Sequence, residues 1–353
     1  MSWLPPDDED DDVPYGEYAD HAVRQRPNPK ANRPRTKRRP EHSDAVVGMV
    51  TGVDRGRYTV LIAEGADPLD PSECSVTAAR ARELRSTPIV IGDRAQLVGN
   101  TSGEEGTLAR IVGVEDRRTL LRRSADDSDR LERVMVANAD QMLIVVAAAN
   151  PEPRVRLVDR YLVAAYDAGI APLICVTKVD LADPEPFLEH FSALDIPVFR
   201  SEPGAWPLQQ IREALAGRTT VFVGHSGVGK STLINELVPD ADRATGHVNE
   251  VTGRGRHTSS SSVALRAETP GAAGGDHGWV IDTPGVRSFG LGHVTGDGIL
   301  RGFTDLAEII EHCPRGCTHA DDAPDCELDA AIEDGRLDAA GARRVESLRR
   351  LLR

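Results

Sequence analysis

The octapeptide Gly224-His225-Ser226-Gly227-Val228-Gly229-Lys230-Ser231 constrains this chain more than any other stretch. It follows a β-type run, Thr219-Thr220-Val221-Phe222-Val223, and leads through Thr232 into Leu233-Ile234-Asn235-Glu236-Leu237, which reads as a helix. Strand, glycine loop and helix in that order make a phosphate-binding loop. Glycines admit backbone conformations that a Cβ forbids, so successive N–H groups can turn inward on an anion. The following helix directs its positive end at the same place. Lys230 then reaches the β- and γ-phosphates of a nucleotide, and Ser231 offers its hydroxyl to Mg²⁺. Gly224 through Thr232 are the expected nucleotide contacts.

The surrounding rhythm is strand then helix. Gln141–Ala147 is almost wholly apolar, as a parallel strand buried on both faces should be. Val155–Ala168 has helical spacing, Ala171–Thr177 reads as a strand, Phe187–Leu194 as a helix, Pro197–Arg200 as a strand and Leu208–Ala216 as a helix. Gly278–Asp282 is a further apolar strand. The alternation predicts a doubly wound α/β domain.

Two further loops suit a nucleotide. Asp282-Thr283-Pro284-Gly285 closes an apolar strand, where Asp282 can hold Mg²⁺ through water and the Gly285 N–H can approach a terminal phosphate. Thr177-Lys178-Val179-Asp180 also ends a strand. A carboxylate at 180 accepts the ring N–H and exocyclic amine of guanine, which adenine cannot match, and the Lys178 stem can lie along the base. Taken alone, each of these is equally an ordinary turn. Ser201-Glu202 is a fainter candidate for backbone contact with the base. Thr258 lies in a glycine-, serine- and arginine-rich stretch, Gly253–Ser262, between the phosphate loop and Asp282. A loop threonine there can complete Mg²⁺ coordination when the γ-phosphate is present, and a plain surface loop is the alternative.

Of five cysteines, Cys74 and Cys175 stand alone and read as packing residues. Cys313, Cys317 and Cys326 crowd together with His319. Three thiolates and one imidazole close a tetrahedral site with no open position, which fits structural rather than catalytic zinc. His312 is a competing ligand.

Between Asp44 and Asp116, short β-type runs (Val46–Val50, Arg57–Ile62, Arg94–Val98, Leu108–Val114) predict a small barrel of the oligonucleotide-binding kind, followed by a basic connector, Arg117–Ser124. Before them stand an acidic block, Asp7–Asp12, and a proline-broken basic segment from Arg24 to Arg39. Neither has an apolar period able to offset the entropy of ordering, so residues 1–43 are expected to form a disordered tail. The net charge of −14 argues against nucleic-acid binding until this uneven distribution is considered. No run of about eighteen apolar residues is present and the chain opens on charge, so a cytosolic protein without a membrane span is expected.

The guanine-type motif precedes the phosphate loop, whereas ordinary GTPases place it last. With a small β domain in front and a Cys/His cluster behind, the order Thr177–Asp180, Gly224–Ser231, Thr258, Asp282–Gly285 resembles the RsgA family (YjeQ/EngC) of circularly permuted GTPases. Val134–Gln141 and Asp282–Leu291 also match that family's text. The resemblance implies an OB-like barrel (44–118), a permuted P-loop GTPase domain (119–295) and a helical zinc-binding domain (296–353). It implies hydrolysis of GTP to GDP and phosphate, stimulated by the small ribosomal subunit, with a role late in that subunit's maturation. GTP with Mg²⁺, one structural Zn²⁺ and the subunit's rRNA are the implied cofactors and partners, and the chain is expected to act as a monomer. Lys230 and Ser231 become phosphate and Mg²⁺ ligands, Thr258 the switch threonine, and His257 a candidate aid to catalysis. Cys313, Cys317, His319 and Cys326 become the zinc ligands. Val286 stands where many signalling GTPases carry a water-orienting glutamine, which implies slow intrinsic turnover. The family usually has Asn at the position of Thr177, and the gap between the first two cysteines is one residue shorter here.

A different reading makes the chain chiefly an RNA-binding module with incidental hydrolysis, on the strength of the barrel, the basic tail and an arginine-rich end (Arg343, Arg344, Arg349, Arg350, Arg353). An ATP-dependent kinase would need an acceptor site and lid that the sequence does not offer.

Overall fold

The protein is seen in a computed structural model that describes residues 42–62, 73–124, 132–238, 262–267, 277–283 and 296–352. All of these belong to one compact unit, His42–Arg353. The tail expected over 1–43 lies outside the described residues but for its last two positions.

Five strands form the front barrel: β1 (Val46–Asp54), β2 (Arg57–Ile62), β3 (Cys74–Arg80), β4 (Arg94–Gly99) and β5 (Ala109–Val114). They pair in the order β1-β2-β3-β5-β4, and β4 returns to β1 with Leu97 opposite Val46, which closes the barrel. Val60, Val76, Ala78, Ala95, Leu97 and Ile111 alternate inward and are fully buried. This is the oligonucleotide-binding architecture that the sequence led us to expect. The reading of the sequence had no β3, because Cys74-Ser75-Val76-Thr77-Ala78-Ala79-Arg80 carries little β-branched or aromatic signal.

The basic connector expected over Arg117–Ser124 is corrected. Leu120–Ser124 is a strand, β6, paired antiparallel with β7 (Glu132–Ala137). Leu121 is buried opposite Val136, so apolar residues masked by flanking arginines define it. Arg117 forks onto the buried Asp93 carboxylate at 2.7 and 2.9 Å, and Arg118 reaches Asp140 at 3.1 Å.

The α/β domain follows: β8 (Gln141–Ala147), α1 (Val155–Asp167), β9 (Ala171–Thr177), α2 (Glu185–Leu188), β10 (Val198–Arg200), α3 (Leu208–Leu215), β11 (Thr219–Gly224), α4 (Lys230–Leu237), β12 (Val263–Ala267) and β13 (Gly278–Asp282). The strand order is β10-β9-β8-β11-β13-β12, parallel except for β12. Every residue of β8 is buried, as its apolar run requires. On α1, Val158, Tyr161, Leu162 and Ala165 fall on one face and enter the core. The helix expected over Phe187–Leu194 is broken. Regular α-helix stops at Leu188 and the chain tightens into a 3₁₀ turn, Glu189–Phe191, which still buries Phe187 and Phe191.

At its far edge β12 meets the barrel, with Val263 opposite Gly52 of β1. Arg266 of β12 clasps Glu73 with both guanidinium nitrogens and lies over the Trp279 ring, 5.2 Å from its centroid.

Helices α5 (Gly296–Leu300), α6 (Ala307–Ile310), α7 (Glu327–Glu333) and α8 (Ala339–Leu352) close the chain. Val345, Leu348 and Leu351 of α8 are buried in the same core as α1. Of the arginine-rich end, Arg344, Arg349 and Arg350 are partly buried and engaged with other elements. Arg344 binds Asp305 (2.7 Å) and the carbonyls of Ala193 (2.8 Å) and Gly302 (3.0 Å). Arg350 binds Asp159 at 3.2 Å, and burial still leaves the Asp159 carboxyl above its ordinary pKa. Arg343 is exposed, and Arg353 lies outside the described residues. No helix among the described residues is long and apolar enough to cross a membrane.

Candidate nucleotide site and metal centre

β9 and β11 flank β8, so the loops that leave their carboxyl ends emerge side by side. Open α/β sheets bind ligands at such strand ends. At the end of β11, a Cβ on Gly224 would stand 2.4 Å from the carbonyl oxygen of Val145 on β8, so only glycine lets the loop leave this close to its neighbour. Gly229 opens α4 in a left-handed conformation, with φ of +94°, again a glycine position. Between them Val228 is buried in the core and pins the loop, while Ser226, Gly227, Ser231 and Thr232 are exposed. His225 is half-buried, with Nδ1 2.9 Å from the Ser226 carbonyl.

The Thr177–Asp180 loop grips the Gly224–Ser231 loop directly. Thr177, buried at the end of β9, donates from Oγ1 to the Val228 carbonyl at 2.6 Å. Lys178, held at φ of +58°, donates from Nζ to the Gly227 carbonyl at 2.8 Å and also to the Asn150 carbonyl. Asp180 follows on the same loop and is exposed to solvent. Ser201 is buried, its N–H bonded to the Val176 carbonyl at 2.8 Å, while Glu202 is exposed. On the other flank Lys230 pairs with Asp282 at the end of β13. Thr283 donates from Oγ1 to the Phe222 carbonyl at 2.9 Å, which ties the start of the Asp282 loop to β11. His257, Thr258 and Gly285 lie outside the described residues.

The structure adds residues that sequence reading missed. Asn150 and Pro151 run beside the phosphate loop: Pro151 Cδ is 4.0 Å from the point where a Cβ would stand on Gly227. The Trp206 ring and the Thr177 side chain both come within 3.7 Å of the equivalent point on Gly229. Trp206 lies beyond the Ser201-Glu202 turn, and nothing local in the sequence marks it as a neighbour of a loop on another strand.

Cys313, Cys317, His319 and Cys326 converge, their ligand atoms all within 4.8 Å of one another. His319 Nδ1 is 3.6, 3.5 and 3.9 Å from the three sulfurs in turn. Zinc with Zn–S bonds of about 2.3 Å and Zn–N bonds of about 2.0 Å places its tetrahedral ligands some 3.5–3.8 Å apart, so the residues fit that ion. Burial, and after it the neighbouring thiols, push the Cys313 thiol up to about 11, so its thiolate is favoured only beside a cation. His312 stands outside the cluster, its Nδ1 2.7 Å from the Glu308 carbonyl. Arg349, on α8, donates to the His319 carbonyl at 3.2 Å and to Asp329 at 2.8 Å, fastening the metal loop to the helix.

Comparison with known proteins agrees with this geometry. The RsgA GTPase family matches residues 114–292. The small ribosomal subunit biogenesis GTPase RsgA of Pseudomonas aeruginosa (strain LESB58) is 40% identical over 244 residues, 67% of this chain and 68% of that protein. Its namesake in Chlorobaculum parvum (strain DSM 263 / NCIMB 8327) is 35% identical over 308 residues, 84% of this chain and 95% of that protein. The crystal structure of YjeQ from Thermotoga maritima superposes with a TM-score of 0.61 at 22% identity, covering 87% of this chain and 97% of that one, which speaks to the fold alone. With a base-motif strand that precedes the phosphate-loop strand in the chain yet lies beside its neighbour in the sheet, this protein belongs to the RsgA GTPase family.

Proposed function

We propose that this chain hydrolyses GTP to GDP and phosphate and acts in maturation of the small ribosomal subunit, the role named for its relatives. The observation that carries this reading is the double grip of Thr177 and Lys178 on the carbonyls of Val228 and Gly227. It supports a loop that would read the base lying against a loop that would bind phosphate, beyond the carboxyl ends of β9 and β11.

In this reading the N–H groups from Gly224 to Thr232 cradle the phosphates, and Lys230 exchanges Asp282 for the β- and γ-phosphates. Asp180 accepts the two N–H donors of guanine, and the Lys178 stem lies along the base. Ser231 and Asp282 would hold Mg²⁺, with Thr258 beside them as the resemblance implies, and the ion when bound would supply charge neutralisation at the phosphates. Water attacks the γ-phosphorus in line with the leaving GDP, and Lys230 and the loop N–H groups stabilise the growing charge. Gly285 offers its N–H to the γ-phosphate and His257 assists. Cys313, Cys317, His319 and Cys326 would hold one structural zinc. The partners are rRNA of the subunit, GTP and GDP. The chain works as a monomer in the cytosol, with the barrel (44–118), GTPase domain (119–295) and zinc domain (296–353) as its functional parts.

GTP turnover by the full chain, with and without purified small subunits, tests the proposal. Stimulated release of phosphate from GTP and not from ATP is expected. Turnover that ignores the subunits would remove the ribosomal half of the reading, and equal use of ATP would remove the guanine half.

A further inference from the structure

In GTPases the charge that grows on the γ-phosphate in the transition state is met by an arginine as well as by the phosphate-loop lysine and N–H groups. The segment that links β8 to α1 carries a candidate. Lys178 holds the Asn150 carbonyl and the Gly227 carbonyl together, and Pro151 lies against Gly227, so this segment runs along the phosphate loop. Three residues further on, Arg154 lines one small, mostly apolar cavity with Pro151, Glu152, His225 and Val228, the last two of which belong to the phosphate loop itself.

Two features of Arg154 lack a structural explanation. It is the N-cap of α1 and makes no capping hydrogen bond, since a guanidinium offers no acceptor to the first-turn N–H groups. Its charge also adds to the positive end of the helix, where no acidic residue of the first turn offsets it. The side chain is exposed, and among the described residues it forms no ion pair or hydrogen bond. A cation placed at local cost beside a phosphate loop, and left unpaired there, is positioned for an anion.

We propose that Arg154 is a catalytic residue of this chain, an arginine supplied in cis to the γ-phosphate in the transition state of GTP hydrolysis. The inference rests on the reading of the site as a GTPase. Water oxygen forms the new bond to the γ-phosphorus as the bond to the β–γ bridging oxygen breaks. GDP leaves with that electron pair, and the proton of the water ends on the phosphate product. Arg154 stays protonated throughout and donates hydrogen bonds to the oxygens on which charge accumulates.

The test compares the full-length parent with Arg154→Ala, Arg154→Lys and the control Arg156→Ala, an exposed arginine two residues on in the first turn of α1 that does not line the cavity. Each is assayed for GDP affinity, for GTP turnover with and without small subunits, and for formation of a GDP–aluminium fluoride complex. An arginine delivered to the γ-phosphate contributes on the order of 10³–10⁵ in the best cases. Here a loss in kcat of at least about tenfold is expected for Arg154→Ala, with GDP affinity within about twofold of the parent. The aluminium fluoride complex should be lost in Arg154→Ala, Arg154→Lys should be intermediate, and Arg156→Ala should match the parent. Unchanged kcat and a retained complex in Arg154→Ala would overturn the assignment. So would a parallel loss of GDP affinity, which would mean that the residue only shapes the loop. A parent chain that binds no guanine nucleotide would instead remove the underlying reading, and the inference with it.

Discussion

The hydroxyl of Thr177 donates to the carbonyl of Val228 across 51 positions of sequence, and the two residues are both buried. This bond joins the end of β9 to the middle of the phosphate loop. Where the resemblance led us to expect asparagine, the threonine hydroxyl makes a bridge between the two loops.

Thr177→Val keeps the shape and removes the donor, which leaves the Val228 carbonyl unsatisfied in the core. An unmade buried hydrogen bond costs roughly 1–3 kcal/mol. GDP affinity measured by calorimetry should fall about five- to a hundredfold, and Thr177→Ser should stay near the parent. Equal affinity for Val and Ser variants would mean that the bridge does not hold the site together.

The C-terminal arginines separate two roles. Arg344→Ala removes an ion pair with Asp305, two carbonyl contacts and a ring contact with Phe303 at 4.9 Å. A loss of roughly 2–4 kcal/mol is expected from charge-assisted bonds of this kind. Arg343→Ala, at an exposed position one residue earlier, should leave denaturant stability unchanged. The reverse ranking would mean that the contacts of Arg344 do not fasten this end of the chain.

The metal centre predicts a stoichiometry. The purified chain should carry one zinc, and chelation should lower its melting temperature and expose three further thiols to a thiol reagent. Cys326→Ser should lose the metal, whereas His312→Ala should keep it, because His312 faces the Glu308 carbonyl. Cys175 should stay unreactive at pH 8, since burial pushes its thiol up to about 12. Loss of zinc from His312→Ala would make that histidine a ligand after all.

What the sequence made legible was local. The phosphate loop, Thr177–Asp180 and Asp282–Gly285 each follow an apolar strand, and the strands β8, β9 and β13 match their apolar runs residue for residue. The small residues of β3 hid a strand, and the arginines around Leu120 and Leu121 hid β6. The inward commitments of Arg344, Arg349 and Arg350 were illegible because their partners stand tens of residues away on other elements. Trp206, Pro151 and Arg154 came into view only when strand order put their loops next to Gly227 and Gly229.

Asp180→Asn tests most directly whether a guanine-reading loop and a phosphate-gripping loop form one site. The carboxylate accepts two N–H donors of guanine, whereas an amide presents one acceptor and one donor, which suits the additional carbonyl of xanthine. Unmatched polar groups of this kind cost enough to reverse a preference. In paired titrations of GDP and xanthosine diphosphate, the parent should favour GDP and Asp180→Asn should lose at least about tenfold for GDP while gaining for xanthosine diphosphate. An Asp180→Asn chain that binds both nucleotides as the parent does would place the base elsewhere and contradict the account.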